Sequence, residues 1–314
     1  MDGDDRAALV ERVSSLASSY FAGDDAPGLG PFIRRFYADV GADDLAERTI
    51  DELAGAARAL WRVASNRPPG TPVIRAYDPA AGVDGWSSPY TVIEVVSDDM
   101  PFIVDSVTTA IERRHSTVQL AIHPIVAVRR TTDGRLLGVA ASGDPNGADG
   151  YVHAEGERRV VESFVHMEID RIDDTTLLAE LVDELRAVYA DVHAATSDWS
   201  DMLAATFRVV NELGTNTSGD DDDRAETRAL LQWMADHHFT FLGVCDIVPT
   251  DDGRATIVEG SELGVLRNES RIALTPFPGS ATLVVNKEPQ RSRVHRDVYL
   301  DAVAVRSVGP DGRV

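Results

Sequence analysis

The spacing of the apolar residues changes near Tyr90, and this change limits the folds that the chain can adopt. Up to about residue 65 the apolar residues recur every three or four positions, which predicts helices. From Tyr90 onward, short β-branched runs alternate with helical patterns, in the order strand, helix, strand, short strand, strand, helix. This order predicts an α+β fold with a ferredoxin-like βαββαβ-type domain, in which an antiparallel sheet carries two helices on one face.

The same patterns divide the chain into four regions. Residues 1–84 are predicted to be a helical N-terminal region and a proline-rich linker, and residues 85–196 the α+β domain. Residues 197–236 are predicted to be a helical connector, and residues 237–314 a second, mainly antiparallel β domain. That domain looks truncated, because a turn signal in its last residues, PDG, has no returning strand, and we expect a longer parent chain.

Charge and cysteine content exclude several classes of partner. The net charge of −22 makes nucleic acid and anionic membranes poor partners. The densest basic run, KEPQRSRVHR, is predicted to be a solvated edge. We find no signal peptide and no run long enough to span a bilayer. The single cysteine, Cys245, excludes an internal disulfide, so we predict a cytoplasmic protein.

The residues that could carry catalysis form no recognisable constellation. Asp98 and Asp99 are neighbours before a predicted helix, where one carboxylate would cap the helix start. A metal-dependent hydrolase using Asp98, Asp99, Asp105 and His123 is one alternative, but the spacings of His123, His153 and His166 match no zinc pattern. The sequence has no nucleotide-binding glycine motif and no nucleophile elbow, and Lys287 is its only lysine. We therefore predict no catalytic residue, no metal and no cofactor in these 314 residues.

Several ordered motifs resemble one enzyme family. The run TVIEVVSDDMPFIVDSVTTAIERRHSTVQLAIHPIVAVRR, and later FTFLGV, LGVLR and RSRVHRDVYLDAVAV, resemble the N-terminal region of the large bacterial NAD-specific glutamate dehydrogenases. The resemblance implies ACT-like and PAS-like regulatory domains that precede a distant catalytic part using NAD. It also implies self-association of the full-length chain and control by a small-molecule amino-acid effector. A stand-alone amino-acid-binding ACT module is the alternative function.

The resemblance also points to one candidate site. ACT domains follow their first strand with a loop of the type D-R-P-G, which often helps to bind an amino acid. Here the loop comprises Asp98, Asp99, Met100, Pro101 and Phe102. The aspartate and proline match, but Phe102 stands where glycine would let a ligand approach the backbone. Both a ligand-binding loop and a structural corner or subunit contact remain open from the sequence.

Overall fold

A computed structural model describes residues 3–20, 28–140, 156–215, 220–249, 255–267 and 281–307. Contacts between Cα atoms divide the chain into two compact units. The first unit comprises Met1–Met100 and Ala110–Ala187, and the second comprises Pro101–Thr109 and Val188–Val314. The predicted domain boundaries at residues 84, 196 and 236 remain predictions.

Four helices begin the first unit, as the apolar spacing predicted. They are α1 Gly3–Ser19, α2 Leu29–Phe36, α3 Ala42–Ala46 and α4 Ile50–Val63. A capping box starts α4, because the Thr49 side chain accepts from the Glu52 N–H and the Glu52 side chain accepts from the Thr49 N–H. Aromatic residues Phe32 and Phe36 of α2 and Trp61 of α4 are buried in one core with Phe164.

The first unit is built on a six-stranded antiparallel sheet. Its strands lie in the order β1-β2-β6-β4-β5, and β3 pairs with the other half of the long strand β6. The bounds are β1 Val73–Tyr77, β2 Thr91–Asp98, β3 Val118–Ile122, β4 Ile125–Thr131, β5 Leu136–Val139 and β6 Glu157–Ile169. The predicted strand TVQLAIHPIVAVRR is thus divided at His123-Pro124, where proline removes a ladder hydrogen bond.

The origin of one strand differs from the predicted order. In a βαββαβ domain the strand beside the first one follows the second helix. Here that place beside β2 belongs to β1, which comes from the segment predicted as a proline-rich linker, and a short helix, α5 Ala81–Asp84, separates the two strands. The α+β class and its antiparallel sheet are confirmed.

The two faces of the sheet follow the register of β2 on β6. Val95 pairs with Val165 and Ile93 with Met167 on one face, whereas Val96 pairs with Phe164 and Glu94 with His166 on the other. All of these residues are buried, so the sheet is covered on both faces. Core residues from α1, α2 and α4 cluster with Val96 and Phe164, which places the N-terminal helices against the face that carries Glu94 and His166.

Two helices connect the strands and continue into the second unit. They are α6 Ile103–Arg113 and α7 Thr175–Ser197. The apolar face of α6 is buried at Ile103, Val107, Ala110 and Ile111. The Asp174 side chain caps α7, because it accepts from the Thr176 N–H at 2.7 Å.

The second unit contains two further helices and short antiparallel ribbons. The helices are α8 Trp199–Thr215 and α9 Asp221–Trp233, followed by a π-helical turn, Met234–His238. The strands are β7 Gly243–Val244, β8 Ile247–Pro249, β9 Ala255–Ile257, β10 Leu263–Gly264, β11 Leu283–Arg291 and β12 Tyr299–Val305. They pair as β7 with β10, β8 with β9 and β11 with β12. The terminal PDG turn lies outside the described residues.

Within the described residues, no helix is long and apolar enough to cross a membrane.

Candidate functional site

The candidate loop begins with Asp98, the last residue of β2. Its carboxylate accepts from the guanidinium of Arg67 at 2.5 Å. Asp98 lies five residues before α6 and is engaged by Arg67, which leaves Asp99 as the candidate cap of this helix. Asp99 is exposed, and its backbone N–H donates to Val161 O at 3.4 Å. A capping role for Asp99 stays a prediction.

The loop ends at Phe102, whose backbone adopts the conformation of a glycine. Its φ is 72°, in the left-handed region that β-carbons disfavour. The Phe102 carbonyl accepts from both the N–H and the hydroxyl of Ser106, at 3.0 and 2.6 Å. Phe102 therefore adopts a backbone conformation that glycine, the last residue of the D-R-P-G type, reaches without strain. Met100 is half-buried, and Pro101 is exposed.

The tip of the β11–β12 hairpin, residues 292–298, lies against this end of the loop. The ring of His295 is 4.9 Å from the ring of Phe102, measured between centroids. The His295 N–H donates to Ser106 Oγ at 2.9 Å, and its Nδ1 is 3.0 Å from Asp105 Oδ2. His295 of the same chain thus covers Phe102. Ligand binding at Phe102 was one of the two hypotheses from the sequence.

This contact corrects the prediction for the basic run KEPQRSRVHR. The hairpin tip is not a solvated edge, because Val294 is buried and Arg293 pairs with Asp191 of α7 at 3.1 Å. Lys287, Arg291 and Arg296 are exposed, as predicted for an edge, and Lys287 pairs with Asp301 on the neighbouring strand. Two basic residues of the tip contact acidic partners within the chain: Arg293 contacts Asp191, and His295 contacts Asp105.

The left-handed backbone at Phe102 leads to a testable prediction. We expect the Phe102→Gly variant to be more stable than the Phe102→Ala variant by about 1 kcal/mol, because only alanine retains the β-carbon strain. Both variants lose the ring contact with His295, so their difference isolates the backbone effect. Urea unfolding of the two purified variants gives the comparison.

Glu112, an exposed residue of α6, provides the matched control. There the order should reverse, with Glu112→Gly less stable than Glu112→Ala by about 0.5–1 kcal/mol. If alanine were the more stable replacement at both positions, Phe102 would not have the left-handed conformation.

Arg67 connects the loop to a buried ion network that the sequence analysis missed. Arg67 and Arg130 both donate to Glu162 of β6, at 2.9 Å from Arg67 Nε and at 2.7 Å from Arg130 Nε and Nη2. Arg130 Nη1 also donates to the carbonyls of Ala64 and Gly134, at 2.8 and 2.7 Å. These side chains are at most 1% exposed, so the network fixes the residues after α4 to the sheet.

Gly134 is required by this arrangement. Its φ is +101°, and a β-carbon there would lie 2.0 Å from the Arg67 carbonyl. In addition, the Arg67 N–H donates to Gly134 O at 3.0 Å. No substitution at this position can keep both the backbone and the ion network.

The remaining predicted polar residues have separate partners. His123 Nε2 is 2.6 Å from Ser163 Oγ, and burial lowers the pKa of His123. Asp105 contacts His295, and Asp98 contacts Arg67. Asp98 and Asp105 of the hydrolase hypothesis therefore have partners outside that set, whereas Asp99 acts electrostatically on His123. Among the described residues, no three potential ligands are placed to hold a metal ion, and His153 lies outside that set.

Cys245 has the properties of a small packing residue rather than of a nucleophile. Burial, with smaller effects from Asp246 and Glu262, raises the pKa of Cys245 to about 11. The thiol is therefore protonated near neutral pH, which removes the reactive thiolate.

A second polar group lies on the face of the sheet that the N-terminal helices cover. Glu94 is fully buried, accepts from the hydroxyl of Tyr77 at 3.2 Å and lies 3.9 Å from Arg75 Nη1. Burial raises the pKa of Glu94 to about 7, although His166 and Arg75 oppose the shift. This side chain was given no role from the sequence, because alternation along β2 does not reveal which face a second layer covers.

Comparison with known proteins identifies similar sequences. Residues 32–185 match the model of a family described as "Glutamate dehydrogenase, ACT1 domain". NAD-specific glutamate dehydrogenases from Halomonas elongata and Pseudomonas aeruginosa are 30% and 29% identical, each over 98% of this chain. The Mycobacterium tuberculosis NAD-specific glutamate dehydrogenase is 28% identical over 79% of this chain. The chain spans 20%, 19% and 14% of the length of these three relatives.

Proposed function

Residues 32–185 belong to the glutamate dehydrogenase ACT1 domain family, and on this premise we propose that the chain is a regulatory and assembly segment of a large NAD-specific glutamate dehydrogenase. The full-length protein would convert glutamate and NAD to 2-oxoglutarate, ammonium and NADH. In this proposal the 314 residues carry no catalysis themselves. One observation carries the proposal: two relatives each match 98% of this chain, and the chain spans a fifth or less of their length.

The sequence supports a non-catalytic role. It has no nucleotide-binding glycine motif, and its only lysine, Lys287, is exposed on the β11–β12 hairpin. NAD would therefore be bound by another part of the full-length chain. A cytoplasmic location and an ACT-like or PAS-like second β region belong to the same proposal.

The loop from Asp98 to Phe102 is proposed to act as an internal contact. His295 covers Phe102, and Asp98 is held by Arg67. An amino-acid effector that bound at Phe102 would have to displace the hairpin tip. The geometry thus favours the structural alternative for this loop, and a ligand would be sensed through movement of residues 292–298.

The proposal predicts self-association without turnover. The purified chain should form no NADH from glutamate and NAD, and light scattering should give a mass above that of one chain that falls on dilution. A thermal-shift screen with the protein amino acids should compare the wild type with His295→Ala, in which the loop is uncovered. Binding at 100 times Kd would stabilise the protein by roughly 2.7 kcal/mol.

Turnover that copurifies with the chain through successive columns would refute the non-catalytic role. A strictly monomeric chain that is stabilised by one amino acid would instead support the stand-alone binding module.

A further inference from the structure

Two fully buried titratable groups lie side by side on the face of the sheet that the N-terminal helices cover. Glu94 of β2 is directly opposite His166 of β6, and both side chains are 0% exposed. Residues directly opposite each other on antiparallel strands have their β-carbons about 5 Å apart. Arg75 of β1, with a side chain that is 39% exposed, lies on the other side of Glu94. The sheet thus brings a carboxyl group and an imidazole together away from bulk water.

Both groups have hydrogen-bonding capacity that the described residues do not use. The two ring nitrogens of His166 and Oε2 of Glu94 have no hydrogen-bond partner among those residues. His166 Nε2 lies 3.8 Å from Glu168 Oε1, which is too far for a hydrogen bond. Glu94 uses its other oxygen, which accepts from the hydroxyl of Tyr77 at 3.2 Å. Because buried polar groups are normally paired, the unused atoms of the imidazole and the carboxyl group point to a proton held between them.

The charged groups around the pair leave one negative charge uncompensated when Glu94 is ionised. The guanidinium of Arg75 pairs with Asp84 of α5, and that of Arg48 pairs with Glu168 of β6, both at 2.7 Å. Arg75 Nη1 also lies 3.9 Å from Glu94 Oε2, but its charge is already matched by Asp84. A buried charge without a counter-charge is costly, so the pair is favoured with one proton bound.

The other titratable groups near the pair agree with this proton count. Burial raises the pKa of Tyr77 and of Tyr37 above the usual value, so both phenols are uncharged at neutral pH. Burial likewise raises the pKa of Glu94 to about 7, although His166 opposes the shift. Because the two groups interact, the proton belongs to the pair rather than to either residue alone.

An apolar cover held by the N-terminal helices closes the pair off from solvent. Phe36 of α2 lies edge-on to His166, with ring centroids 5.8 Å apart. The ring of Trp86 is 6.4 Å from that of His166. Trp86 itself packs against α4, where a β-carbon on Gly55 would be 2.3 Å from Trp86 Cβ. Loss of the proton would leave a carboxylate charge beneath this cover, and such a charge favours an arrangement that water can reach.

We propose that Glu94 and His166 hold one proton between them, and that this proton keeps α2 and α4 packed on the sheet. As the pH rises above neutral the proton leaves, and the helices open more often while the sheet stays folded. The pair is thus a pH-sensitive switch built into the first unit. It is separate from the Asp98–Phe102 loop and does not rest on the proposed function.

Hydrogen exchange of the purified chain, followed by mass spectrometry and corrected for the intrinsic exchange rate at each pH, measures how often α2 opens. We expect α2 to be less protected than the central strand β6, because the helices open without the sheet. From pH 6 to pH 8.5 the protection of α2 should fall about tenfold, since the pKa of Glu94 is about 7 in the closed state and returns to 4.5 in the open state. Equal protection of α2 and β6, or protection of α2 that does not change with pH, would overturn the proposal.

Three variants assign the effect to the pair. Glu94→Gln keeps the size of the side chain but cannot ionise, so α2 should be equally protected at both pH values. Glu157→Gln, the same substitution at a partly exposed position of β6, is the matched control and should keep the tenfold fall. In His166→Gln the fall should move to higher pH, because the charge of His166 lowers the pKa of Glu94. A fall at the wild-type pH in this variant would show that Glu94 binds the proton alone and would refute the sharing.

Discussion

Replacing Glu162 by glutamine is expected to lower the free energy of unfolding by about 3–5 kcal/mol. Glutamine has nearly the same size, but it removes the carboxylate that compensates two guanidinium ions. Arg130 would remain buried at 0% exposure with carbonyl partners only, and Arg67 would keep the Thr71 carbonyl and Asp98, which is 43% exposed. The cost arises from leaving a buried positive charge without its counter-charge rather than from the net value of the ion pair.

Glu157→Gln is the matched control, since it is the same substitution on the same strand. Glu157 pairs with Arg129 at 3.4 Å, and both side chains are partly exposed. Such a pair contributes at most about 1 kcal/mol. Urea unfolding of the two variants and the wild type gives both values. Equal losses would show that the Glu162 network does not exclude water.

The wild-type chain should lose stability at rising pH through Glu94, and Glu94→Gln should remove this loss. The pKa of Glu94 is raised from 4.5 to about 7, chiefly by burial, so the folded state binds a proton more tightly than the unfolded state. A pKa that is raised in the folded state stabilises the protein fully below the pKa of the unfolded state. This stabilisation is lost as the pH rises through the pKa of the folded state. Between pH 5.5 and pH 8 the lost contribution is about 2 kcal/mol.

The measurement compares urea unfolding of the wild type and Glu94→Gln at the two pH values. Other titrating groups are common to both proteins, so their contributions cancel in the difference. From pH 5.5 to pH 8, the free energy of unfolding of Glu94→Gln should rise by about 2 kcal/mol relative to that of the wild type. Parallel pH profiles would show that Glu94 is ionised throughout and well solvated.

Within the loop, sequence reasoning identified the residues but not their conformation. The resemblance to a D-R-P-G loop located Asp98 to Phe102, and the departure at Phe102 was visible in the sequence. The left-handed backbone of Phe102 and its contact with His295 depend on a segment almost two hundred residues later in the chain. No local pattern encodes such a pairing.

The sequence by itself determined most of the helices and strands, because their signals are local, but β1 and α5 lie in the segment predicted as a linker. The 3.6-residue spacing of α6, the cap at Asp174 and the alternation along β6 depend only on neighbouring residues, and the structure contains each of them. It also determined which residues of a strand share a face, since side chains alternate with a period of two.

Only the tertiary structure decided which faces are buried and which strand takes the place beside β2. Alternation puts Glu162 and His166 on the face of β6 opposite Val165 and Met167, and the register places Glu94 on the same face of the sheet. A two-layer domain would expose that face. The N-terminal helices cover that face instead, so groups that would be solvated become buried, and Glu162 joins an ion network with Arg67 and Arg130. Burial is a property of what packs across a surface, and for this sheet the packing partners come from residues distant in the chain.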